Sequence, residues 1–331
     1  MQSGCRQLTF PLVHHPHYVA PLPAGSSFPM NKYGLLLTAF EDMGVAPDMH
    51  VPDPMPEAWI AAIHNPAYVE AVLTQTVGKT TERRIGFPVT KRVAERSELA
   101  LGGTYLAARL ALDRGYAANG AGGSHHALPD TGAGYCVFND LAVAANRLLT
   151  EGHTSRIMIV DLDVHQGDGT AVCLAGRADA FTFSMHAERN FPVRKARSSH
   201  DVALPDGLGD TGYLETLDRE LPPLFERFRP DLILYQAGVD PHESDRLGRL
   251  SLSDAGLQAR DAYVRDLAKA AGVPLASTMG GGYGRDEERL ELAHRHARSM
   301  LVLAGIPVPA AQGSGSRGPS NSFFAGEGAS V

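Results

Sequence analysis

The spacing of apolar residues changes near residue 116. Before that point, apolar residues recur at steps of three and four, which predicts helices over 31–43, 66–77 and 91–114. Beyond it, short apolar or β-branched runs alternate with amphipathic stretches. The runs predict strands over 116–123, 157–164, 180–186, 231–238 and 274–281, and the stretches predict helices over 139–150, 211–228, 253–271 and 286–303.

The predicted strands are apolar at consecutive positions rather than at alternate ones. Strands of this kind are covered on both faces, and their alternation with helices is typical of a parallel sheet. We therefore predict an α/β fold: a single domain with a central, mostly parallel β-sheet flanked by helices on both faces. The domain is expected to span residues 1–310, and residues 311–331, rich in Gly and Ser, are expected to form a disordered C-terminal tail.

Composition narrows the classes of protein to consider. The chain has 331 residues, is 44% hydrophobic and carries a formal charge of −7. It therefore has enough apolar residues to form a core, and it lacks the excess of basic residues that is typical of nucleic-acid-binding proteins. Its acidic balance mildly favours cationic partners. Three cysteines without CxxC spacing, no signal-peptide core and no membrane-length apolar run predict a cytoplasmic protein without membrane contact, and a homo-oligomer is compatible with the sequence.

The segment "IVDLDVHQGDG" places titratable side chains in a strand-like apolar run. Successive side chains of a strand point to opposite faces of the sheet. Asp161, Asp163 and His165 are therefore expected on one face, and Leu162 and Val164 on the other. A buried carboxylate needs a cation, a proton or a dense hydrogen-bond network to offset its desolvation. This segment therefore predicts a metal site.

Polar residues also follow the other predicted strands. Ligands of open parallel sheets gather at the carboxyl ends of the strands, so Asp240 of "AGVDPHESDRLG" is expected to join Asp163 and His165 as a third metal ligand. Three protein ligands with one coordination position left for water are typical of catalytic zinc. The same oxygen and nitrogen donors would also accept Fe(II) or Mn(II).

Adjacent His125 and His126 in "GSHHALP" fit the remainder of a hydrolytic site. Each imidazole needs a partner that fixes its tautomer, and Asp161 and Asp168 are available for this role. One histidine would then deprotonate water while the other stays cationic. Tyr283 of "MGGGYG" would donate a hydrogen bond to an oxyanion, and the whole set predicts a metal-assisted amide hydrolase.

These motifs, in this order, resemble the zinc-dependent histone deacetylase family of the arginase/deacetylase fold. The resemblance runs from about residue 10 to 305 and includes the His pair, DxDxHxGDG, the Asp of "AGVDPHESDRLG" and "GGGY". The segments "FPMNKY", "RNFPVRK", "LPDGLGD" and "SDRLGRLSLS" resemble class IV and related bacterial histone deacetylase-like amidohydrolases. The resemblance implies Zn²⁺ bound by Asp163, His165 and Asp240, together with a structural K⁺.

The resemblance also implies roles for individual residues. His126 would be the general base paired with Asp168, His125 would pair with Asp161, and Tyr283 would polarise the acyl carbonyl. The potassium site would use main-chain oxygens of Asp161, Asp163, His165 and Met185 with the Ser184 hydroxyl. The substrate tunnel would be lined by Gly134, Tyr135, Phe191, Gly281 and Gly282, and many relatives have Gly-Phe where this chain has Gly134-Tyr135.

Taken together, the sequence predicts removal of an acyl group from N-ε-acyl-lysine, in a peptide or protein, by zinc-activated water. One alternative is a deacetylase of acetylpolyamines or other small acylated amines, which the acidic balance allows. A second alternative is a non-catalytic module that binds acyl-lysine. The His pair and Tyr283 argue against that module, because binding alone does not require a tuned base.

Overall fold

The computed structural model describes residues 9–309, which contain one eight-stranded sheet. The strands are β1 (Pro11–Val13), β2 (Asp48–His50), β3 (Tyr116–Asn119), β4 (Ile157–Asp161), β5 (Ala180–Ala187), β6 (His200–Leu204), β7 (Leu232–Gln236) and β8 (Leu275–Thr278). Their order is β2-β1-β3-β8-β7-β4-β5-β6, and every neighbouring pair is parallel. The predicted α/β fold with a parallel sheet is confirmed.

Helices surround this sheet. They are α1 (Lys32–Asp42), α2 (Glu57–Ala61), α3 (Pro66–Leu73), α4 (Lys79–Ile85), α5 (Lys91–Arg114), α6 (Asp140–Thr150), α7 (Asp168–Cys173), α8 (Asp210–Phe228), α9 (Asp254–Ala271) and α10 (Arg289–Leu303). The helices predicted from apolar spacing all form, whereas α2, α4 and α7 were not predicted. These three have only five to seven residues, too few to display a helical period.

The consecutive apolar residues of β4 divide between the two faces of the sheet. Met158 and Val160 join the core cluster that contains side chains of α8 and α9. Ile157 and Ile159 join a second cluster with side chains of α5 and α6. Because both faces are covered, each β4 position is buried, and this burial explains the unbroken apolar run.

The central strands end earlier than predicted. β4 was expected to reach residue 164 but stops at Asp161, so Asp163 and His165 lie in the following bend. The amide of Val164 donates to Asp240 Oδ1 at 2.9 Å, and that of His165 donates to Asp163 Oδ1 at 3.0 Å. Side-chain carboxylates thus take over from a neighbouring strand as hydrogen-bond acceptors.

The amino-terminal region differs most from expectation. Strands β1 and β2 were not predicted because each has only three residues. Farther along the chain, β6 was missed because this edge strand, HDVAL, begins with two polar residues instead of forming an unbroken apolar run. In the amino-terminal region His14 is buried, since it is 7% exposed and its Nε2 lies 2.9 Å from the Tyr33 carbonyl. The predicted tail, 311–331, lies outside the described residues. Within residues 9–309, no helix has the length and hydropathy that a bilayer span requires.

Candidate metal and catalytic site

The site lies where the carboxyl ends of four neighbouring strands meet. Strands β3, β8, β7 and β4 are consecutive in the sheet. The His125–His126 pair follows β3, Tyr283 follows β8, Asp240 follows β7, and Asp163 with His165 follows β4. Parallel pairing therefore brings together side chains separated by more than a hundred residues along the chain.

The three predicted metal ligands converge in this structure. Single donor atoms of Asp163, His165 and Asp240 all lie within 4.8 Å of one another. His165 Nδ1 is 2.9 Å from Asp163 Oδ1 and 3.2 Å from Asp240 Oδ2. All three side chains are buried. One imidazole nitrogen and two carboxylate oxygens that face a common point form a donor set that suits a divalent cation.

The charges of this cluster also fit a cation. Burial and the neighbouring Asp163 raise the pKa of Asp240 to about 7. Burial alone would lower the pKa of His165, but hydrogen bonds to Asp163 and Asp240 outweigh it and raise that pKa to about 10. The two carboxylates therefore draw positive charge into the space between them, which is the condition for binding a dication.

A glycine keeps the backbone close to these ligands. The Gly281 amide donates to Asp163 Oδ2 at 2.9 Å, and a Cβ at Gly281 would lie 2.0 Å from Asp240 Oδ2. Gln236 Nε2 donates to the same Asp163 oxygen at 2.7 Å. Two donors thus hold Asp163 Oδ2 in place and orient this carboxylate.

The two adjacent histidines have separate carboxylate partners. His125 Nδ1 donates to Asp161 Oδ2 at 2.7 Å, and His126 Nδ1 donates to Asp168 Oδ1 at 2.6 Å. Since an ionised carboxylate only accepts, these bonds place a proton on each Nδ1 and direct each Nε2 away from the partner. His125 Nε2 lies 3.8 Å from Asp163 Oδ1, whereas His126 lines an open cleft.

The imidazoles of His125 and His126 differ in charge. For His125, burial favours the neutral ring, but the carboxylates of Asp161 and Asp163 outweigh it and raise the pKa to about 9. For His126, burial and the charge of His125 lower the pKa to about 4 despite the bond to Asp168. At neutral pH the structure therefore presents one cationic and one neutral imidazole side by side.

Tyr283 lies beside the cluster. Its ring centroid lies 6.0 Å from that of His165, and its main-chain amide donates to Asp245 Oδ2 at 2.7 Å. Burial, followed by the charge of Asp163, raises its pKa well above 10, so the phenol keeps its proton. Lys32, fully buried, lies 5.7 Å from the Tyr283 ring and donates to the Gly280 carbonyl at 2.8 Å.

A cleft of 260 Å³, here called the outer cleft, leads to these side chains. It is lined by Arg83, Arg84, Ile85, Gly86, His126, Gly134, Tyr135, His165, Phe191, Leu247 and Tyr283. The Phe191 ring meets the His126 ring edge to face at 4.7 Å. A second space of only 20 Å³, the inner chamber, adjoins Gly281, Asp163 and Cys136.

Tyr135 stands where many relatives have phenylalanine, and its ring still lines the outer cleft. Its hydroxyl lies 2.8 Å from Ser27 Oγ, and its ring packs 4.9 Å from the Phe28 ring. Gly134 holds φ +53°, and a Cβ there would lie 2.5 Å from the His126 ring, so only glycine lets this wall approach the histidine. The added hydroxyl points to a neighbouring loop instead of filling the cleft.

The remaining predicted residues lie in the interior. Ser184 and Met185 are buried in β5 beside β4, with Ser184 Oγ 3.0 Å from His186 Nδ1. A Cβ at Gly282 would meet Leu292 and Val239, so this residue faces the core behind the site.

Sequence reasoning missed several supporting side chains. Gln236 holds Asp163, Asp245 holds the backbone of Tyr283, and Lys32 binds the glycine segment that carries it. Gln236 could have been recognised as the last residue of an apolar strand, a position that parallel sheets use for ligands. Lys32 and Asp245 lie in loops or helix starts where polar residues are common, so no comparable signal marked them.

Comparisons with known proteins agree with this geometry. Residues 27–299 match the model of the histone deacetylase domain. An uncharacterized protein of Picosynechococcus sp. is 46% identical over 300 residues, which cover 88% of this chain and 99% of that protein. Histone deacetylase 2 of Arabidopsis thaliana is 30% identical over 80% of this chain and 71% of its own.

Two further comparisons cover a shorter segment and the fold. A histone deacetylase-like amidohydrolase of Pseudomonas aeruginosa is 34% identical over 171 residues, 48% of this chain and 45% of its own. The crystal structure of the HDA15 HD domain superposes with a TM-score of 0.77 over 92% of this chain and 90% of its own, at 20% identity, which supports the fold. The domain match and the relatives together show that this chain belongs to the histone deacetylase family.

Proposed function

We propose that this protein is a zinc-dependent hydrolase that removes a small acyl group from N-ε-acyl-lysine in a peptide or protein. The observation that carries the proposal is the cluster of Asp163, His165 and Asp240 beside one cationic and one neutral histidine. When bound by these ligands, zinc would polarise the acyl carbonyl and lower the pKa of a bound water.

The chain's own residues would handle the proton and the developing charge. His126, neutral and held by Asp168, is the group able to accept a proton from water through Nε2. His125, held cationic by Asp161, supplies positive charge beside the reacting carbonyl. Tyr283 keeps its phenolic proton and would donate it in a hydrogen bond to the developing oxyanion.

The two spaces match the parts of an acyl-lysine substrate. The outer cleft, walled by Tyr135 and Phe191, would hold the four-carbon lysine stem between two rings. The inner chamber of 20 Å³ has room for about one water-sized group. An acetyl group therefore fits better than a long acyl chain, and we expect acetyl-lysine to react faster than octanoyl-lysine.

The potassium site is part of the same proposal. Main-chain oxygens of Asp161, Asp163, His165 and Met185, with Ser184 Oγ, would hold K⁺ beneath the zinc ligands. Its support is that β4 and β5 pair side by side, with Asp161 in register with Ser184.

Acyl release from an acetyl-lysine peptide tests the function. The purified protein would be stripped with a chelator, reloaded with Zn²⁺, Fe²⁺ or Mn²⁺, and assayed for released acetate and for the deacetylated peptide. We expect activity to disappear on chelation and to return with zinc. Asp240→Asn, prepared in parallel, should stay inactive after reloading and so controls for contaminating enzymes. Absence of turnover by the zinc-loaded wild type would refute the proposal.

A further inference from the structure

The outer cleft is lined by basic side chains although the chain as a whole is acidic. Arg83 and Arg84 both line it, together with His126, His165 and Tyr283, and its lining residues include no Asp or Glu. The complete chain has 37 acidic and 30 basic residues. The charge at the mouth of the site is therefore opposite in sign to the charge of the whole protein.

The position of these arginines is fixed by the backbone. The Gly134 amide donates to the Arg84 carbonyl at 3.0 Å, and the Tyr135 amide donates to the Ile85 carbonyl at 2.7 Å. The last turn of α4 is thereby attached to the wall that touches His126. Any substrate that enters along this wall passes the two guanidinium groups.

Neither arginine has a carboxylate partner among residues 9–309. Arg83 donates only to Thr80 Oγ1, at 3.3 Å, and both side chains are exposed. The acidic groups close by in sequence are engaged elsewhere: Glu82 pairs with Lys79 at 2.8 Å. Arginines in a last helical turn also interact favourably with the helix dipole, but that role does not require both to line one cleft.

Two further residues at the mouth are apolar. Phe191 and Leu247 line the cleft and remain 43% and 36% exposed, respectively. Arg246, next to Leu247, donates to the Ser27 carbonyl at 3.0 Å and adds a further cation beside this wall. Two arginines and two exposed apolar side chains around one cleft suit an extended peptide that carries acidic side chains.

We propose that Arg83 and Arg84 select acyl-lysine within acidic peptide segments, by pairing with carboxylates that flank the modified lysine. The proposal rests on the proposed function of the same site. Arg–carboxylate pairs at a partly exposed mouth add affinity and orient the chain. Acetylated polyamines carry positive charge, so the same arginines would disfavour them.

Binding of labelled peptides tests the inference without depending on turnover. Three peptides of equal length would carry a ketone isostere of acetyl-lysine, which cannot be hydrolysed, between Asp, Ala or Lys residues. Affinities for the zinc-loaded full-length protein would be measured by fluorescence anisotropy. We expect the Asp peptide to bind about 5- to 10-fold more tightly than the Ala peptide at low ionic strength, and the ratio to shrink toward about one in 0.5 M salt.

Variants locate the effect. Arg83→Gln with Arg84→Gln should remove the preference for the Asp peptide, and Arg83→Lys with Arg84→Lys should keep most of it. A matched control, Arg114→Gln with Lys269→Gln, changes the net charge equally in a separate 730 Å³ cavity at the amino ends of β3 and β8, and should leave the ratio unchanged. Thermal melting would verify that each exposed substitution leaves the fold intact.

Two results would overturn the inference: equal affinity of the wild type for all three peptides, or a preference that survives Arg83→Gln with Arg84→Gln. Turnover of the corresponding acetyl-lysine peptides separates this failure from failure of the function. Turnover without any charge preference refutes only the role of the arginines. A charge preference in binding without any turnover supports that role and refutes the hydrolase.

Discussion

At the scale of single residues, neighbours decide what each group can do. His125 and His126 are chemically identical and adjacent, yet their pKa values move in opposite directions, to about 9 and about 4. The first touches two carboxylates, whereas the second has one partner and a cationic neighbour. Such separation of two like groups is a recognised sign of an acid–base pair.

Tyr283→Phe provides a test at this scale. The substitution removes one donor but keeps the ring that packs near His165 and Tyr135. If the phenol stabilises an oxyanion, kcat should fall roughly 10²- to 10³-fold while KM changes little. Steady-state kinetics with an acetyl-lysine peptide would measure both constants.

Tyr135→Phe is the matched control for this experiment. It also removes one hydroxyl from a residue of the cleft wall, but that hydroxyl contacts Ser27 instead of the cluster of Asp163, His165 and Asp240. We expect kcat to stay within about threefold of the wild type, as for a surface hydrogen bond worth about 1 kcal/mol or less. Equal effects of the two substitutions would contradict the assigned role of Tyr283.

At the scale of elements, buried polar contacts attach the loops around the site to the helices. His64 follows α2 and is 1% exposed. Its Nδ1 donates to the Leu128 carbonyl at 3.0 Å, and its Nε2 accepts the Asn139 amide at 2.9 Å. Asn139 caps α6, so a neutral imidazole connects three segments near the His125–His126 loop.

This contact predicts a loss of stability in acid. Burial lowers the pKa of His64 from 6.5 to about 4. The unfolded chain takes up a proton below about pH 6.5 and the folded chain does so only below about pH 4, so unfolding becomes easier as the pH falls through this window. Above pH 6.5 the effect vanishes. At pH 4 it amounts to roughly 3 kcal/mol.

His64→Gln isolates that contribution from other titrating groups. Glutamine keeps a donor and an acceptor but has no proton to gain in this range. Urea unfolding between pH 7.5 and 4.5 should show the free energy of unfolding of the wild type falling more steeply than that of the variant. Parallel curves would mean that His64 is protonated equally in both states.

At the scale of the whole molecule, folding brings carboxylates from separate strands to one buried point. Asp163 and Asp240 are 77 positions apart, yet both have an oxygen near His165 Nδ1. Gathering like charges in the interior opposes folding unless a cation compensates them. The ion that would serve the reaction would therefore also stabilise the fold.

Zinc addition should raise the melting temperature of the metal-free protein. An ion that binds the folded state alone adds about 2.7 kcal/mol at a concentration 100 times its Kd. Asp240→Asn should lose most of the rise, whereas Glu243→Gln, which changes an exposed acid nearby, should retain it. Differential scanning fluorimetry measures the shift, and an equal rise in Asp240→Asn would place zinc elsewhere.

Sequence patterns identified the elements and the chemical groups. Unbroken apolar runs such as 157–160 predicted strands buried on both faces, and polar residues after those runs predicted the site, because both signals are local along the chain. The ends of β4 and β8 were predicted several residues too late, because carboxylates of other segments accept the amides there. Nothing in a local window contains that information.

The amino-acid sequence by itself determined the α/β class, the set of candidate ligands and the family resemblance, since each depends on residue type and spacing. Only the tertiary structure decided which imidazole is cationic, which loop Tyr135 contacts, and that Arg83 and Arg84 face the cleft. Those properties depend on distances between segments far apart in the chain. Burial and nearby charges depend on which side chains are close in three dimensions, and the strand order β3-β8-β7-β4 determines which segments meet at the site.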